Sequence, residues 1–233
     1  MKRATKILAG LIAFVLITGA TSDNKLTERQ RALHALNRLA FGPRPGDVDA
    51  VMKGGVNTWI EQQLHPEGIP DRAVEARIAA LPTMTMSNAQ IVKTYYEPVR
   101  MARKKANAEA KDGDVDKKEA RREFMRDVPF DKRPQNVMND LLTERIVRAA
   151  ESDRQLNEVM VDFWMNHFNV FAGKGIDRFL LTSYERDVIR PHIWGRFEDL
   201  LLATAKSPAT LFYPVTARSV YAPGKHHSVP LTP

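Results

Sequence analysis

Apolar side chains recur at helical spacing along most of the chain, and this pattern restricts the fold more than any other feature. The clearest run has apolar or aromatic residues at positions i, i+3, i+4, i+7, i+8, i+11 and i+12: Leu156, Val159, Met160, Phe163, Trp164, His167 and Phe168. Such spacing places side chains on one face of an α-helix. Alternating runs bounded by hairpin turn residues, which are typical of strands, are missing from the sequence. The sequence therefore predicts an all-α fold, an irregular multi-helix bundle.

The helix boundaries are indicated by capping residues and prolines. A Ser or Thr followed three residues later by Gln is the capping-box pattern that starts helices. Pro98 lies inside one predicted helix and is expected to kink or break it, whereas Pro134 is expected to open another. Three pairs fit the capping box: Thr27 with Gln30, Ser87 with Gln90, and Ser152 with Gln155.

The N-terminus has the pattern of a secretory signal peptide. Lys2, Arg3 and Lys6 precede an apolar run over residues 7–17, and small residues then end at Ala20, after which cleavage is expected. An uncleaved N-terminal anchor is the alternative, although a bilayer span needs about 20 apolar residues. We therefore interpret residues 1–20 as a signal peptide and expect an exported protein of the periplasm, cell surface or medium, without a membrane span after cleavage.

Composition excludes several classes of function. The 233 residues contain no cysteine, which excludes disulfides, thiolate catalysis and iron–sulfur clusters. The net charge of +7 is local, because residues 100–126 alone hold ten Lys or Arg against six Asp or Glu. A local excess does not indicate nucleic-acid binding, and export also argues against such a partner.

Two segments differ from the rest of the predicted helical domain, which covers residues 21–213. The highly charged insert at 102–122 is interpreted as a solvated helix–loop–helix or a flexible insert. The alternative is a basic surface for an anionic lipid or glycan. The tail at 214–233 holds four prolines and has no amphipathic period, so it is predicted to be disordered.

Six residues are candidates for a functional site. A histidine such as His167 can be a general base or a metal ligand, with the alternative of an ordinary core histidine. With His192 and Glu185 it would complete a His₂–carboxylate set for a divalent metal. The alternative for Glu185 is a structural ion-pair network joining two helices. The remaining candidates lie beside these residues: Trp164, Asn166 and Arg190.

Three separated stretches carry a resemblance to a known family. Residues 36–64, 161–171 and 184–213 resemble, in that order, the bacterial domain-of-unknown-function family numbered 1800. The resemblance implies an exported helical protein, larger than this chain, with no activity established for the family as a whole. After Tyr213 the sequence departs from the family pattern, so we expect that the C-terminal half of the family is missing through a frameshift or truncation.

These observations leave three hypotheses. The first is a binding or structural module of the cell envelope, whose partner is an envelope protein or a surface polymer. It is favoured by the lack of Rossmann, P-loop, zinc-protease or serine-hydrolase motifs. The second is a metal-dependent envelope enzyme, and the third is a truncated fragment without a function of its own.

Overall fold

A computed structural model describes residues 26–109, 117–126, 128–173 and 175–212, and every regular element within these ranges is helical. The prediction of an all-α fold with irregular helices is confirmed. The predicted signal peptide at 1–20 and the predicted tail at 214–233 lie outside the described residues. None of the described helices is both long enough and apolar enough to cross a membrane.

The chain begins with three short helices, α1 (Glu28–Leu39), α2 (Asp47–Gly54) and α3 (Val56–Leu64). The capping box predicted at Thr27 and Gln30 is confirmed, since each residue's side chain accepts a hydrogen bond from the other's backbone N–H. The three helices enclose a small apolar core that consists of Ala32, Ala35, Leu36, Ala40, Val51 and Val56.

The next segment runs from α4 (Arg72–Ala79) to α5 (Asn88–Ile91), whose capping box at Ser87 and Gln90 is also confirmed. A π-helical turn, Val92–Tyr96, then leads into α6 (Glu97–Glu109). Pro98 therefore does not break the helix. It follows the π turn by two residues, and the wider turn relieves the clash between a proline ring and the preceding carbonyl groups.

The described parts of the charged insert at 102–122 fall on the second half of α6 and on α7 (Lys117–Arg126), which pack against each other, and residues 110–116 lie outside the described residues. Ala102 and Ala106 are buried on α6, although their neighbours Arg103, Lys104 and Lys105 are exposed. A pair of solvated helices is stabilised when small side chains lie between the two helices and charged side chains face the solvent.

The described residues between Gln135 and Phe212 form the main core. It consists of α8 (Gln135–Glu151), α9 (Gln155–His167), α10 (Leu181–Ser183), a π turn (Tyr184–Ile189), a 3₁₀ turn (Arg190–His192), α11 (Phe197–Lys206) and α12 (Pro208–Phe212). This second π turn also ends just before a proline, Pro191. Buried side chains from these elements form the largest apolar cluster, which includes Leu141, Val161, Leu181, Tyr184, Ile189 and Leu200.

The third predicted capping box, at Ser152 and Gln155, is wrong. Helix α9 begins after Arg154, and no side chain caps it. Ser152 is fully buried, and its hydroxyl donates a hydrogen bond of 2.7 Å to Asp71 instead. Gln155 donates to the Ser152 carbonyl oxygen at 2.7 Å. The Ser152 hydroxyl oxygen accepts from the backbone N–H of Arg154 at 3.0 Å, so its local bond is made two residues on and not three.

Candidate functional site

The centre of the main core holds a buried charge network that joins four segments of the chain. Helix α8 contributes Glu144 and Arg148, which lie one turn apart, and α9 contributes Glu158. Glu185 and Arg190 come from the second π turn and the residue after it. The carboxylates of Glu144 and Glu185 are 1% exposed and that of Glu158 is 4% exposed. We call these five residues the charge network.

Arg190 is the common donor of the network. Its Nη1 donates to both carboxylate oxygens of Glu158, at 2.8 and 3.1 Å. Its Nη2 donates to Oε1 of Glu144 at 2.9 Å and to Oε1 of Glu185 at 2.7 Å, and its Nε donates to the same Glu185 oxygen at 3.1 Å. The planar guanidinium suits this role because its five N–H groups point in fixed directions. Arg190 therefore ties α8, α9 and the π turn together.

Arg148 extends the network towards α4. It donates from Nη1 and Nη2 to the two carboxylate oxygens of Glu75, at 2.9 and 3.2 Å. Its Nε donates to Oε1 of Glu144, so this one oxygen accepts from two arginines. The other oxygen of Glu144 accepts no hydrogen bond from the described residues.

The network has more buried carboxylates than buried guanidinium groups, and this imbalance shifts the protonation of Glu144. Burial, and then the nearby negative charge of Glu185, raise the pKa of Glu144 to about 7, although Arg190 and Arg148 oppose the shift. A carboxyl group that shares a buried space with a second carboxylate holds its proton to higher pH. Glu144 therefore holds its proton to higher pH than an exposed glutamate does.

A cavity of about 190 Å³ borders the network between α8, α9 and the second π turn. Glu185 lines it, and Oε2 of Glu185 accepts no hydrogen bond from any described residue. Nε of Arg145 lies 3.8 Å from this oxygen, which is beyond hydrogen-bond distance. Arg145 is instead ion-paired with Asp162. Oε2 of Glu185 is thus buried beside the cavity without a hydrogen bond from a described residue.

The structure does not bring together the predicted metal ligands His167, Glu185 and His192. Within the described ranges, no group of three or more His, Asp or Glu side chains is placed to hold a metal ion. Glu185 accepts hydrogen bonds from Arg190, and Nδ1 of His192 lies 2.7 Å from the carbonyl oxygen of Val188. Glu185 and Arg190 thus take part in an ion-pair network, which was the alternative interpretation of Glu185.

Three further candidates lie at or near the end of α9. His167 is exposed, so it is not the core histidine that its position on the apolar face indicates. Nδ2 of Asn166 donates to the carbonyl oxygen of Asp162 at 2.9 Å and to its Oδ2 at 3.1 Å. Trp164 is half-buried against the main core, and its indole N–H is buried without an acceptor among the described residues.

Aromatic rings surround Trp164 and form a second surface feature. Its ring stacks on Phe168 with 5.7 Å between centroids, and Phe197 of α11 lies 5.8 Å away. Phe163 and Phe197 are more than half exposed, at 53% and 54%. We call the following set the aromatic face: Phe163, Trp164, His167, Phe168 and Phe197.

Sequence reasoning missed Glu144, Arg148 and Glu158, although a signal was available. Glu144 lies seven residues after Val137 and three after Leu141, at a position that the helical period assigns to the buried face. A charged residue at such a position is rarely buried unless it is paired. The pattern therefore indicated a buried ion pair on α8, but not which residues complete it.

Comparisons with known proteins identify the family. No curated protein and no solved structure matches the chain. Residues 34–222 match a family described as Protein of unknown function (DUF1800). The match runs beyond Tyr213, where we expected the family pattern to end, so the family-like sequence is longer than that expectation. Because the match covers most of the 233 residues, the chain belongs to this family of unknown function.

Proposed function

We propose that this chain is an exported, non-catalytic module of the bacterial cell envelope that binds a partner protein through the aromatic face. The observation that carries the proposal is the exposure of Phe163 and Phe197 at the edge of a five-ring cluster. Large apolar side chains that remain together at the surface mark interaction sites. Export itself is supported by the signal-like pattern at residues 1–20.

The chemistry of the aromatic face favours a protein over a surface polymer. Phe163 and Phe197 are more than half exposed, and the indole N–H of Trp164 is buried. Sugar polymers need hydrogen-bonding groups beside a stacking ring, whereas the centre of a protein interface is aromatic with few charges. Beside Phe197, the exposed ion pair of Arg196 and Glu198 supplies the polar rim that such interfaces have.

The buried carboxylates argue for a non-catalytic role. Glu144, Glu158 and Glu185 each accept hydrogen bonds from Arg190, and all three are almost fully buried. A general acid or base must come within hydrogen-bond distance of its substrate. Side chains that are sealed from solvent and held by arginine are better suited to joining helices than to contacting a substrate.

Export is tested by fractionating cells that produce the full chain and sequencing the N-terminus of the product. We expect the protein outside the cytoplasm with Thr21 as its first residue. A cytoplasmic product that retains residues 1–20 would contradict the export part of the proposal.

The binding surface is tested by photo-crosslinking in the native host. A photoreactive amino acid replaces Phe163, and a matched control replaces Phe130, which is 76% exposed but is not part of the aromatic face. We expect one discrete cross-linked protein from position 163, reduced by the substitution Phe197→Asp, and none from position 130. Products that are the same at both positions, or unaffected by Phe197→Asp, would contradict the proposal.

A further inference from the structure

We propose that a cleft beside α6 binds a small phosphomonoester with a polar body, such as a sugar phosphate. The cleft has a volume of about 710 Å³ and lies between α6, the start of α8 and the 3₁₀ turn Asp177–Phe179. We call it the cationic cleft after the three arginines that line it, Arg100, Arg103 and Arg178. None of its described lining residues belongs to the aromatic face, so the inference goes beyond partner binding and either proposal can fail without the other.

One wall of the cationic cleft is a face of α6 and of the π turn before it. Arg100, Arg103 and Asn107 are exposed and spaced by three and four residues, so their side chains share one side of the helix. Tyr96 lies one turn before Arg100 on the same side. Two guanidinium groups, one helical turn apart, therefore line the same wall.

A second wall holds the third arginine on an anchored turn. Arg178 is half-buried in the 3₁₀ turn Asp177–Phe179. The next residue, Phe179, is 2% exposed and packs in an apolar cluster with Ile91, and its ring centroid lies 5.4 Å from that of Tyr96. These contacts hold the turn against the segment that leads into α6, so arginines from two separate elements line one cleft.

The positive charge of the cationic cleft is not balanced by carboxylates. Within the described residues, no Asp or Glu lines it. Arg100, Arg103 and Arg178 form no ion pair with a described residue. Asp177 precedes Arg178 in the chain, but it is 1% exposed and does not line the cleft. The three guanidinium groups therefore favour an anionic ligand.

Two other cavities contain arginines that carboxylates already neutralise. In the cleft of about 400 Å³ between α1, α2 and α3, Arg44 pairs with Asp47 and Asp153. In the cavity of about 190 Å³ between α8 and α9, Arg145 pairs with Asp162. An anion would have to displace a carboxylate in either place, but not in the cationic cleft.

The arginines suit a phosphate better than a carboxylate. A guanidinium group donates two parallel hydrogen bonds to the oxygens of either anion. A phosphomonoester carries a charge of about −1.5 to −2 near neutral pH and has three acceptor oxygens. Three arginines can share these oxygens, whereas a carboxylate has a single charge and only two oxygens.

The rest of the lining suits a polar body of the size of a sugar. The side-chain amides of Asn107 and Gln135 are exposed in the cleft and both donate and accept hydrogen bonds, as hydroxyl groups require. The volume lies in the range of about 300–1,000 Å³ that is typical of small-molecule sites. A flat lipid surface would instead contact outward side chains such as Lys104, which is exposed and does not line the cleft, before it reached the half-buried Arg178.

The test is a titration of the purified full chain at pH 7.5, followed by NMR of backbone amides, with glucose 6-phosphate, glucuronate and glucose. We expect saturable shifts in α6 and around Arg178 with glucose 6-phosphate, apparent affinity at least about 10-fold weaker for glucuronate, and no saturable shifts with glucose. Arg103→Gln and Arg178→Gln should each weaken binding of glucose 6-phosphate by at least about 10-fold, since each removes hydrogen bonds to a charged group. Arg38→Gln is the matched control, because Arg38 on α1 is exposed and does not line the cleft.

Four results overturn the proposal. The first is the absence of saturable shifts with glucose 6-phosphate, and the second is equal weakening by Arg38→Gln, which means attraction to the overall charge. The third is weakening by Arg103→Gln but not by a folded Arg178→Gln, which means binding to one helix surface and not in the cleft. The fourth is binding of the protein to vesicles of phosphatidylglycerol and phosphatidylcholine in equal parts without binding of glucose 6-phosphate. If Arg178→Gln does not fold, the comparison of Arg103→Gln with Arg38→Gln still decides the outcome.

Discussion

Replacing Arg190 by Met should be among the most destabilising single substitutions in this chain. The change removes a guanidinium group that donates to Glu144, Glu158 and Glu185 but keeps an apolar stem. Glu158 loses the donor that holds both its oxygens, and Glu185 loses the donor to its only hydrogen-bonded oxygen. Three carboxylates then remain buried with too little positive charge near them.

The magnitude follows from the burial of these groups. Breaking a buried ion pair by removing one partner costs about 3–5 kcal/mol, because the remaining charge is left uncompensated. Uptake of protons by the carboxylates limits the loss, so about 4 kcal/mol at pH 7 is a reasonable expectation. With a urea dependence of about 2 kcal/mol per molar, the unfolding midpoint should fall by about 2 M.

The assay is urea unfolding of the purified protein followed by far-UV circular dichroism. Arg196→Met is the matched control, because Arg196 also pairs with a glutamate but is 78% exposed. Exposed pairs contribute about 0–1 kcal/mol, so the control should unfold close to wild type. If Arg190→Met lies within about 1 kcal/mol of wild type while Arg196→Met behaves as expected, the account of the charge network is refuted.

Three further predictions follow from the structure. The pKa of Glu144 in the folded protein, about 7, lies above its ordinary value of 4.5, so the protonated side chain stabilises the fold. This stabilisation is complete below about pH 4.5 and is lost as pH rises through 7. Because glutamine does not titrate, the free energy of unfolding of Glu144→Gln should rise relative to that of wild type by on the order of 2 kcal/mol between pH 5 and pH 8, measured by urea unfolding. A difference between the two proteins that does not change with pH would contradict this. Gly55 has φ of 88°, so Gly55→Ala should cost about 1–2 kcal/mol, whereas Gly54→Ala, inside α2 with open space around it, should be neutral or stabilising in the same assay. Elemental analysis of the purified protein should find no stoichiometric divalent metal, and His167→Ala should leave the metal content unchanged; stoichiometric metal lost on that substitution would restore the metal-enzyme hypothesis.

Much of the helical framework could be predicted from the sequence because its causes are local. The capping boxes at Thr27 and Ser87 each depend on residues only three positions apart, and both formed. The same pattern failed at Ser152, because its hydroxyl oxygen accepts from the backbone N–H of Arg154, two residues on, while its hydrogen is donated to Asp71. Pro98 was expected to disturb its helix, but a local π turn accommodates it. Local rules hold where no distant contact competes with them.

The candidate site was harder to predict because it depends on which helices meet. Glu185 and Arg190 were singled out together, yet Glu144 and Glu158 come from positions 46 and 32 residues away from Arg190. Helical periodicity indicates which face of a helix is buried, but not which other helix packs against that face. His167 shows the same limit, because α9 ends there and its ring packs against those of Phe163, Trp164 and Phe168 at an exposed helix end.

Partner binding by the aromatic face is tested most directly by titration calorimetry with the protein that cross-links to position 163. The account predicts that wild type binds this partner and that Phe163→Ser and Phe197→Ser each weaken binding by about 30-fold or more, since aromatic side chains at the centre of an interface contribute about 2 kcal/mol or more. Phe130→Ser should bind like wild type. Equal affinities for Phe163→Ser, Phe197→Ser and Phe130→Ser would contradict the proposal that this face is the binding surface.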